Sequence, residues 1–412
     1  MKGSRILLLI PTTSYRAKAF MEAGRKLGVE IAVGSDQRQL LSMFTRGKSL
    51  TLDFTEHEKS TEAIVAFAKK YPVKAIAPTD DDTTILAAMA SKALSLPHNP
   101  ASSVMATRNK HRFRELISRA GLLSPRFELI SIHDDPGVIA SRIGFPSVLK
   151  PLSLSGSRGV IRADDSSQFV AAFHRITAIL RQPDAMARGK EEACQILIEK
   201  FIPGKEVVLE GILAEGHLKV LALFDKPDSL DGPYFEETLY VTPSRHPQAI
   251  QDQIRVTTVR VVEALGLREG PIHAELRTND QGAWALEVAA RSIGGHCSQA
   301  LRFETGLSLE ELILRHAIGA KIESFEQEKG ASGVMMIPIP RAGILKEVRG
   351  LQEAQVVPHI EDIKIGIRVG QPIVPLPEGS KYLGFIFARH PTPEGVELAL
   401  REAHRRLEFT IL

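Results

Sequence analysis

Cysteine, tryptophan and long apolar runs are scarce in this chain of 412 residues. It contains one tryptophan and two cysteines, and Cys194 and Cys297 lie far apart, outside any Cys-x-x-Cys spacing. A disulfide framework and a structural zinc site are therefore unsupported. No apolar run approaches the length of a membrane span, and the run at residues 6–10 is too short for a signal peptide. We expect reduced thiols, a cytoplasmic location and no membrane partner.

The chain also lacks a strong charge of either sign. Its 52 lysines and arginines nearly balance 49 aspartates and glutamates, which leaves a formal net charge of +3. A protein that binds nucleic acid through its phosphates usually carries a marked basic excess. We therefore expect no nucleic-acid partner.

Two common nucleotide-binding motifs are absent. The chain has no Gly-x4-Gly-Lys-Ser/Thr sequence, so it is not predicted to be a P-loop protein. Residues 1–98 alternate apolar runs (6–10, 30–33 and 75–77) with helical patterns, which predicts a small parallel sheet covered on both faces. The turn after the first run contains no glycine, which disfavours a nicotinamide-dependent oxidoreductase.

A loop of small residues follows a lysine near the middle of the chain. Lys150 ends the apolar run 145–149, and residues 153–159 contain Ser155, Gly156, Ser157 and Gly159. Small residues let backbone N–H groups approach phosphate oxygens, and the lysine adds positive charge. Such a loop is also common as an ordinary surface turn. On its own it is weak support for a polyphosphate site.

A second candidate segment begins where the apolar run 196–198 ends. Glu199, Lys200, Phe201 and Ile202 follow, and Pro203-Gly204 then breaks the strand. An extended segment here could offer backbone groups to an adenine edge, and Glu206 could accept hydrogen bonds from ribose hydroxyls. The alternative is a strand end with solvated charges.

The most informative pattern is a hairpin with one acidic residue on each strand. Glu275 and Glu287 lie within the apolar runs 272–276 and 284–288, separated by a turn at residues 279–282, and Arg291 follows. Two carboxylates on one face repel each other unless a cation lies between them, and Mg²⁺ fits that requirement. Arg291 could stabilise charge on a transferred phosphoryl group. A surface hairpin with a salt bridge is the alternative.

The order of these residues resembles the ATP-grasp superfamily, and in particular the dipeptide-forming L-amino acid ligases and carnosine-synthase-like enzymes. The resemblance implies that Lys110 and Lys150 contact phosphates beneath the loop 153–159. It implies an adenine-binding hinge at residues 199–202 and a ribose contact at Glu206. It further implies Mg²⁺ ligands at Glu275 and Glu287, with Mn²⁺ as an alternative ion, and Arg291 as the catalytic arginine.

The same resemblance implies an α/β and α+β architecture. A Rossmann-like, pre-ATP-grasp parallel sheet is expected in residues 1–98. An ATP-grasp core of two α+β subdomains is expected in residues 99–320, with a small lid at about 125–200, and a small mixed domain in residues 321–412. The implied reaction joins a small-molecule carboxylate, such as an amino acid, to another amino acid or amine. It uses ATP, passes through an acyl phosphate, and releases ADP and phosphate. Whether the chain forms a homodimer stays open.

One departure from the superfamily pattern concerns the metal site. Many ATP-grasp enzymes carry Glu-x-Asn-x-Arg, whereas this chain has Ala289 at the asparagine position. The number of metal ions therefore stays open. A carboxylase or purine-pathway ligase, and a nucleotide-binding protein without catalysis, remain alternatives.

The substrate residues are less clear from the sequence. Candidates are Asp81, which could hold an ammonium group, Glu236, His273, Gly294 and Gly295. An aspartate in this position is as often a helix cap, and a single histidine is more often structural than catalytic.

Overall fold

The computed structural model describes residues 4–37 and 48–412, and begins with a parallel sheet. The elements of this region are β1 (Arg5–Leu9), α1 (Ala17–Leu27), β2 (Glu30–Ser35), β3 (Ser49–Thr51), α2 (His57–Lys70), β4 (Ala75–Pro78) and α3 (Asp81–Ala93). The strands are parallel in the order β3-β2-β1-β4. Residues Ile6 to Ile10 are fully buried because helices cover both faces of the sheet.

Two consecutive helices lead from this sheet toward the rest of the chain. They are α4 (Ala101–Arg108) and α5 (Lys110–Arg119). Asn109 has an extended backbone and its side chain accepts a hydrogen bond from the Arg112 N–H, so it ends one helix and caps the next. This cap places Lys110 in the first turn of α5.

An antiparallel subdomain follows, in the range expected for the lid. It contains β5 (Phe127–Ser131), α6 (Pro136–Ala140), β6 (Ser147–Pro151), β7 (Ile161–Ala163), α7 (Ser166–Leu180), α8 (Pro183–Gly189), a 3-10 helix (Lys190–Cys194) and β8 (Gln195–Lys200). The strand order is β5-β8-β6-β7. One face of α7 packs on this sheet through Phe169, Phe173 and Ile176, which are almost completely buried.

The largest sheet has eight strands and carries most of the remaining chain. Its region contains β9 (Lys205–Ala214), β10 (His217–Asp225), β11 (Leu239–Thr242), α9 (Gln248–Leu265), β12 (Gly270–Asn279), β13 (Gly282–Ala289), a 3-10 helix (Cys297–Ala300) and α10 (Leu309–Ala317). The last elements are β14 (Ala331–Ile337), β15 (Gly343–Arg349), α11 (Leu351–Gln355), β16 (Ile360–Ile365), β17 (Pro372–Ile373), β18 (Gly384–His390), α12 (Pro393–Arg405) and β19 (Glu408–Ile411).

The topology confirms the predicted mixed fold class. The eight-stranded sheet has the order β13-β12-β9-β10-β11-β14-β18-β16, and a three-stranded sheet has the order β17-β15-β19. Strands β14, β16 and β18 extend the central sheet across the boundary expected at residue 320. The domain limits themselves remain predictions. None of the helices in residues 4–37 and 48–412 has the length and apolar character needed to cross a bilayer.

Candidate active site

A cavity of about 740 Å³ lies where the N-terminal sheet, the lid and the central sheet meet. It collects most of the residues that the sequence singled out. Those in its wall are Asp81, Lys110, Lys150, Ser155, Gly156, Ser157, Glu199, Lys200, Phe201, Ile202, Glu206, His273, Glu275, Glu287, Arg291, Gly294 and Gly295. These residues are up to about 210 positions apart in the chain, so folding brings them together.

The two acidic residues of the hairpin face the cavity side by side. Glu275 of β12 is paired in register with Glu287 of β13, and directly opposite residues of an antiparallel pair project to the same face. Their side chains keep 26% and 32% of their surface exposed. Lys110 Nζ lies 3.2 Å from Glu287. The pair therefore presents carboxylate oxygens to the cavity next to a lysine.

A buried lysine that the sequence did not indicate lies beneath this pair. Lys226 Nζ contacts Glu237, and lies 3.2 Å from Glu206 and 3.0 Å from Glu275. Burial alone would lower the pKa of Lys226, but the three carboxylates raise it well above its usual value. Oxygens of these three carboxylates lie within 4.8 Å of one another. This acidic triad, Glu206, Glu237 and Glu275, therefore surrounds the buried ammonium group of Lys226.

His273 lies between two carboxylates at the floor of the cavity. Its Nδ1 contacts the fully buried Glu210 and its Nε2 lies 3.3 Å from Glu275. Burial would lower the pKa of His273, but the neighbouring carboxylates raise it to about 9. Glu210 also accepts a hydrogen bond of 2.9 Å from the backbone N–H of Ile293. His273 therefore positions Glu275, while Glu210 fixes the segment that follows Arg291.

A second buried charge cluster joins the lid to the central sheet. Glu199 accepts hydrogen bonds from Arg114 and, at 2.6 Å, from Lys150 Nζ, while Arg114 also donates to the carbonyls of Ala285 and Leu286. Burial would raise the pKa of Glu199, but the charges of Arg114 and Lys150 lower it to about 2. Burial lowers the pKa of Lys150, although Glu199 opposes this. The cluster fixes α5, β8 and β13 relative to one another.

The segment expected to form the adenine hinge contacts a second buried arginine. Arg277 donates to Glu206 at 2.8 Å and to the Ile202 carbonyl at 2.6 Å, and its guanidinium lies 4.9 Å from the centre of the Phe201 ring. The Lys200 ammonium is directed to the Phe145 carbonyl instead. Phe201 thus lines the cavity next to Arg277, and the Arg162 guanidinium lies 4.1 Å from the centre of its ring.

Arg291 is held at the cavity by an aspartate of the N-terminal region. Its guanidinium donates to Asp81 at 2.8 Å and to the Ser292 carbonyl at 3.0 Å. Burial would raise the pKa of Asp81, but Arg291 and Arg108 lower it below its usual range. The capping box of α3 is formed by Asp80 and Thr83. Asp80 therefore forms the helix cap, while Asp81 pairs with Arg291 at the cavity.

Family models match most of the chain in three consecutive parts. The ATP-grasp N-terminal domain matches residues 21–98, the ATP-grasp domain matches residues 143–300, and L-amino acid ligase C-terminal domain 2 matches residues 335–411.

The chain belongs to the L-amino acid ligase family of ATP-grasp enzymes.

Several named ligases resemble the chain at low sequence identity. The crystal structure of an L-amino acid ligase from Bacillus licheniformis superposes with a TM-score of 0.84 at 23% identity and covers 100% of both chains. Dapdiamide A synthase of Enterobacter agglomerans is 30% identical over 58% of this chain, and the alanine–anticapsin ligase of Bacillus subtilis is 25% identical over 70% of it. The chain spans 55% and 64% of the lengths of these two curated relatives.

Two of the predicted site residues lie outside the cavity wall. Gly159 was expected in the phosphate loop, but its N–H donates to the Pro377 carbonyl at 2.9 Å and its backbone packs on Pro151. Glu236 was expected to bind substrate, but its neighbour Glu237 lines the cavity instead. Successive residues of an extended segment point to opposite sides, so only one of the two glutamates can face inward.

Sequence reasoning missed two charged residues of this ligase. Arg114 holds Glu199, and Lys226 holds the acidic triad. Arg114 lies in a helix rich in other basic residues. Lys226 directly follows the apolar strand β10, and this position was the one available signal.

Proposed function

We propose that the chain joins the carboxylate of one amino acid to the amino group of a second amino acid or amine, at the cost of ATP hydrolysis to ADP and phosphate. The observation that carries this proposal is the placement of Glu275 and Glu287, in register, in one cavity with Lys110 and Arg291. Phosphoryl transfer needs mainly positioning and compensation of negative charge, and this set of groups supplies both.

The nucleotide would lie between the lid and the central sheet. The Phe201 ring and the backbone of residues 200–202 would contact the base, and Glu206 would accept from the ribose hydroxyls. Lys110, Lys150 and the loop Ser155–Ser157 would contact the phosphates. Lys110 Nζ already donates to the Leu154 carbonyl at 2.8 Å, which ties this loop to α5.

The carboxylates of the hairpin fit a magnesium ion. Mg²⁺ prefers oxygen ligands and is usually held by one or two carboxylates together with phosphate oxygens. Glu275 and Glu287 offer such oxygens side by side at the cavity, whereas the other two members of the acidic triad, Glu206 and Glu237, are held by Lys226. We therefore place Mg²⁺ on Glu275 and Glu287, where it would withdraw charge from the transferred phosphoryl group.

The reaction would proceed in two steps. A carboxylate oxygen of the first substrate attacks the γ-phosphorus, the bond from that phosphorus to the ADP oxygen breaks, and ADP leaves. The amine of the second substrate then attacks the acyl carbon, the bond from that carbon to the phosphate oxygen breaks, and the amine loses a proton. Arg291 would compensate charge on the phosphoryl oxygens in both steps, at a position fixed by Asp81.

A phosphate-release assay with ATP, Mg²⁺ and pairs of amino acids tests the proposal. We expect ADP and phosphate only when both a carboxylate and an amine substrate are present. Formation of AMP and pyrophosphate would indicate adenylation and would contradict the acyl-phosphate route. Arg291→Ala should abolish turnover but leave ATP binding intact, and Arg268→Ala, at a position outside the cavity wall, is the matched control.

The same assay separates the remaining alternatives. Turnover with bicarbonate in place of an amino acid would favour a carboxylase. ATP binding without ADP formation for any pair of substrates would favour a non-catalytic nucleotide-binding protein. The cytoplasmic location, the domain limits and the oligomeric state stay predictions.

A further inference from the structure

One part of the cavity wall is apolar and aromatic. It is formed by Tyr15, Tyr240, Met336, Tyr382 and Phe385. The Phe385 ring lies 6.0 Å from the Tyr15 ring and 6.0 Å from the Tyr382 ring, both in edge-to-face contact. We refer to these five residues as the aromatic wall. They come from the N-terminal region, from β11, β14 and β18, and, for Tyr382, from the segment just before β18, whereas Phe201 follows the lid strand β8.

The central sheet holds this wall rigidly. Met336 of β14 is paired in register with Phe385 of β18, so that both side chains leave the sheet on the same face. Met336, Phe385 and Tyr240 are at most 3% exposed, which leaves their position little freedom. Tyr15 and Tyr382 are half-buried and complete the wall from the side.

A glycine pair connects the wall to the reacting groups. Gly294 and Gly295 follow Arg291 closely and line the cavity. Gly295 has a positive φ of 59°, and a Cβ there would lie 3.1 Å from the Phe385 ring. Both the backbone conformation and the close approach of the Phe385 ring therefore favour glycine at this position. A side chain bound against the aromatic wall would therefore lie next to the segment that carries Arg291.

We infer that one of the two ligated amino acids carries a large apolar side chain, aromatic or long aliphatic, that packs against the aromatic wall. This inference rests on the proposed function and names its substrate class. A charged side chain would lose its hydration there without an opposite charge on these five residues. A methyl side chain would leave the rings in contact with water or a void. Each methylene that a substrate lacks in such a pocket lowers its kcat/KM by about 10-fold or more.

Turnover with different amino acids tests this substrate class. With ATP and Mg²⁺ and all twenty amino acids in pairs, we expect the kcat/KM of phosphate release for Phe, Tyr, Leu or Met at one position to exceed that for Ala, Asp or Lys by about 10-fold to 100-fold. Mass spectrometry of the product shows whether the large residue is the acyl donor or the acceptor.

Variants of the wall separate packing from folding. Tyr382→Ala and Tyr15→Ala should each lower kcat/KM for the large substrate by about 10-fold while the KM for ATP stays within a factor of about two. Tyr382→Phe should retain the preference because the ring remains. Tyr71→Ala is the matched control, since Tyr71 is also a half-buried tyrosine but lies outside the cavity wall.

The outcomes distinguish this inference from the proposed function. Ligation of small or charged pairs at equal or higher kcat/KM would overturn the inference and leave the ligase function standing. An unchanged preference in folded Tyr382→Ala and Tyr15→Ala would also overturn it. Absence of ADP formation with every pair, despite measurable ATP binding, would overturn the proposed function and the inference with it.

Discussion

Removal of the Lys226 ammonium should convert the acidic triad into a site for a free divalent cation. Lys226 is buried, contacts Glu237, and lies 3.0–3.2 Å from Glu275 and Glu206. The variant Lys226→Met keeps a chain of similar length but leaves three carboxylates facing one another. Loss of one partner from a buried ion pair usually costs about 3–5 kcal/mol, and we expect a loss of folding free energy in this range.

A divalent cation should restore much of that loss. The carboxylate oxygens lie within 4.8 Å of one another, a spacing that suits ligand distances of roughly 2.3–2.6 Å around Ca²⁺. An ion present at about 100 times its dissociation constant would stabilise the variant by roughly 2.7 kcal/mol. Urea unfolding with and without CaCl₂ measures both effects.

Two further variants make the test specific. Lys69→Met removes an exposed lysine and should change neither stability nor its calcium dependence. Glu237→Gln in the Lys226→Met background should recover stability without calcium and lose the calcium effect, because it removes one charge and one ligand. A Lys226→Met protein as stable as the wild type, or an equal calcium shift in both proteins, would refute this account of the triad.

Three other substitutions have defined outcomes. Arg291→Lys should lower kcat by about 10²-fold or more with little change in ATP affinity, because a lysine cannot keep both the Asp81 contact and the planar contact to phosphoryl oxygens; steady-state kinetics and ATP titration measure this. Glu199 has a pKa lowered to about 2, so its ionisation contributes roughly 3 kcal/mol of stability that is present above pH 4.5 and lost as the pH falls toward 2; Glu199→Gln should flatten this part of the stability curve. Gly159→Ala should lower the free energy of unfolding by about 1–2 kcal/mol, because φ is 74° and the new Cβ would lie 2.6 Å from Pro151 Cγ. Gly144→Ala in the same subdomain meets no atom within 4 Å and should leave thermal unfolding unchanged.

The parts of the fold with strong local patterns could be predicted from the sequence. The apolar run 6–10 lies in and directly after the buried strand β1, and α1 ends at Gly28 in the left-handed conformation that favours glycine. The hairpin of β12 and β13 also follows from its turn and its alternating apolar residues. In each case the signal lies within a few residues of the element that it specifies.

Other elements were missed although local signals existed. α10 begins with a capping box formed by Ser308 and Glu311, a spacing that is visible in the sequence. Pro183 occupies the first turn of α8, a position where proline is well tolerated, so the start of this helix also had a local signal.

The contacts that hold the site together could not be predicted from local patterns. Lys226 and Glu275 are 49 residues apart, and Arg291 and Asp81 are 210 residues apart. Such pairs depend on the packing of three sheets around one cavity, and a single sequence contains no record of that packing. The sequence thus indicated which residue types the chemistry needs, while the folded chain shows which charges compensate them.

Transfer of oxygen-18 from the carboxylate substrate tests the central claim most directly. With both carboxylate oxygens of the donor amino acid labelled, attack on the γ-phosphorus and later cleavage at the acyl carbon leave a labelled oxygen in the released phosphate. We predict that ³¹P NMR shows a labelled oxygen in each phosphate formed together with ADP and the ligated product. Unlabelled phosphate in the presence of product, or label in AMP, would contradict an acyl-phosphate mechanism at Glu275, Glu287 and Arg291.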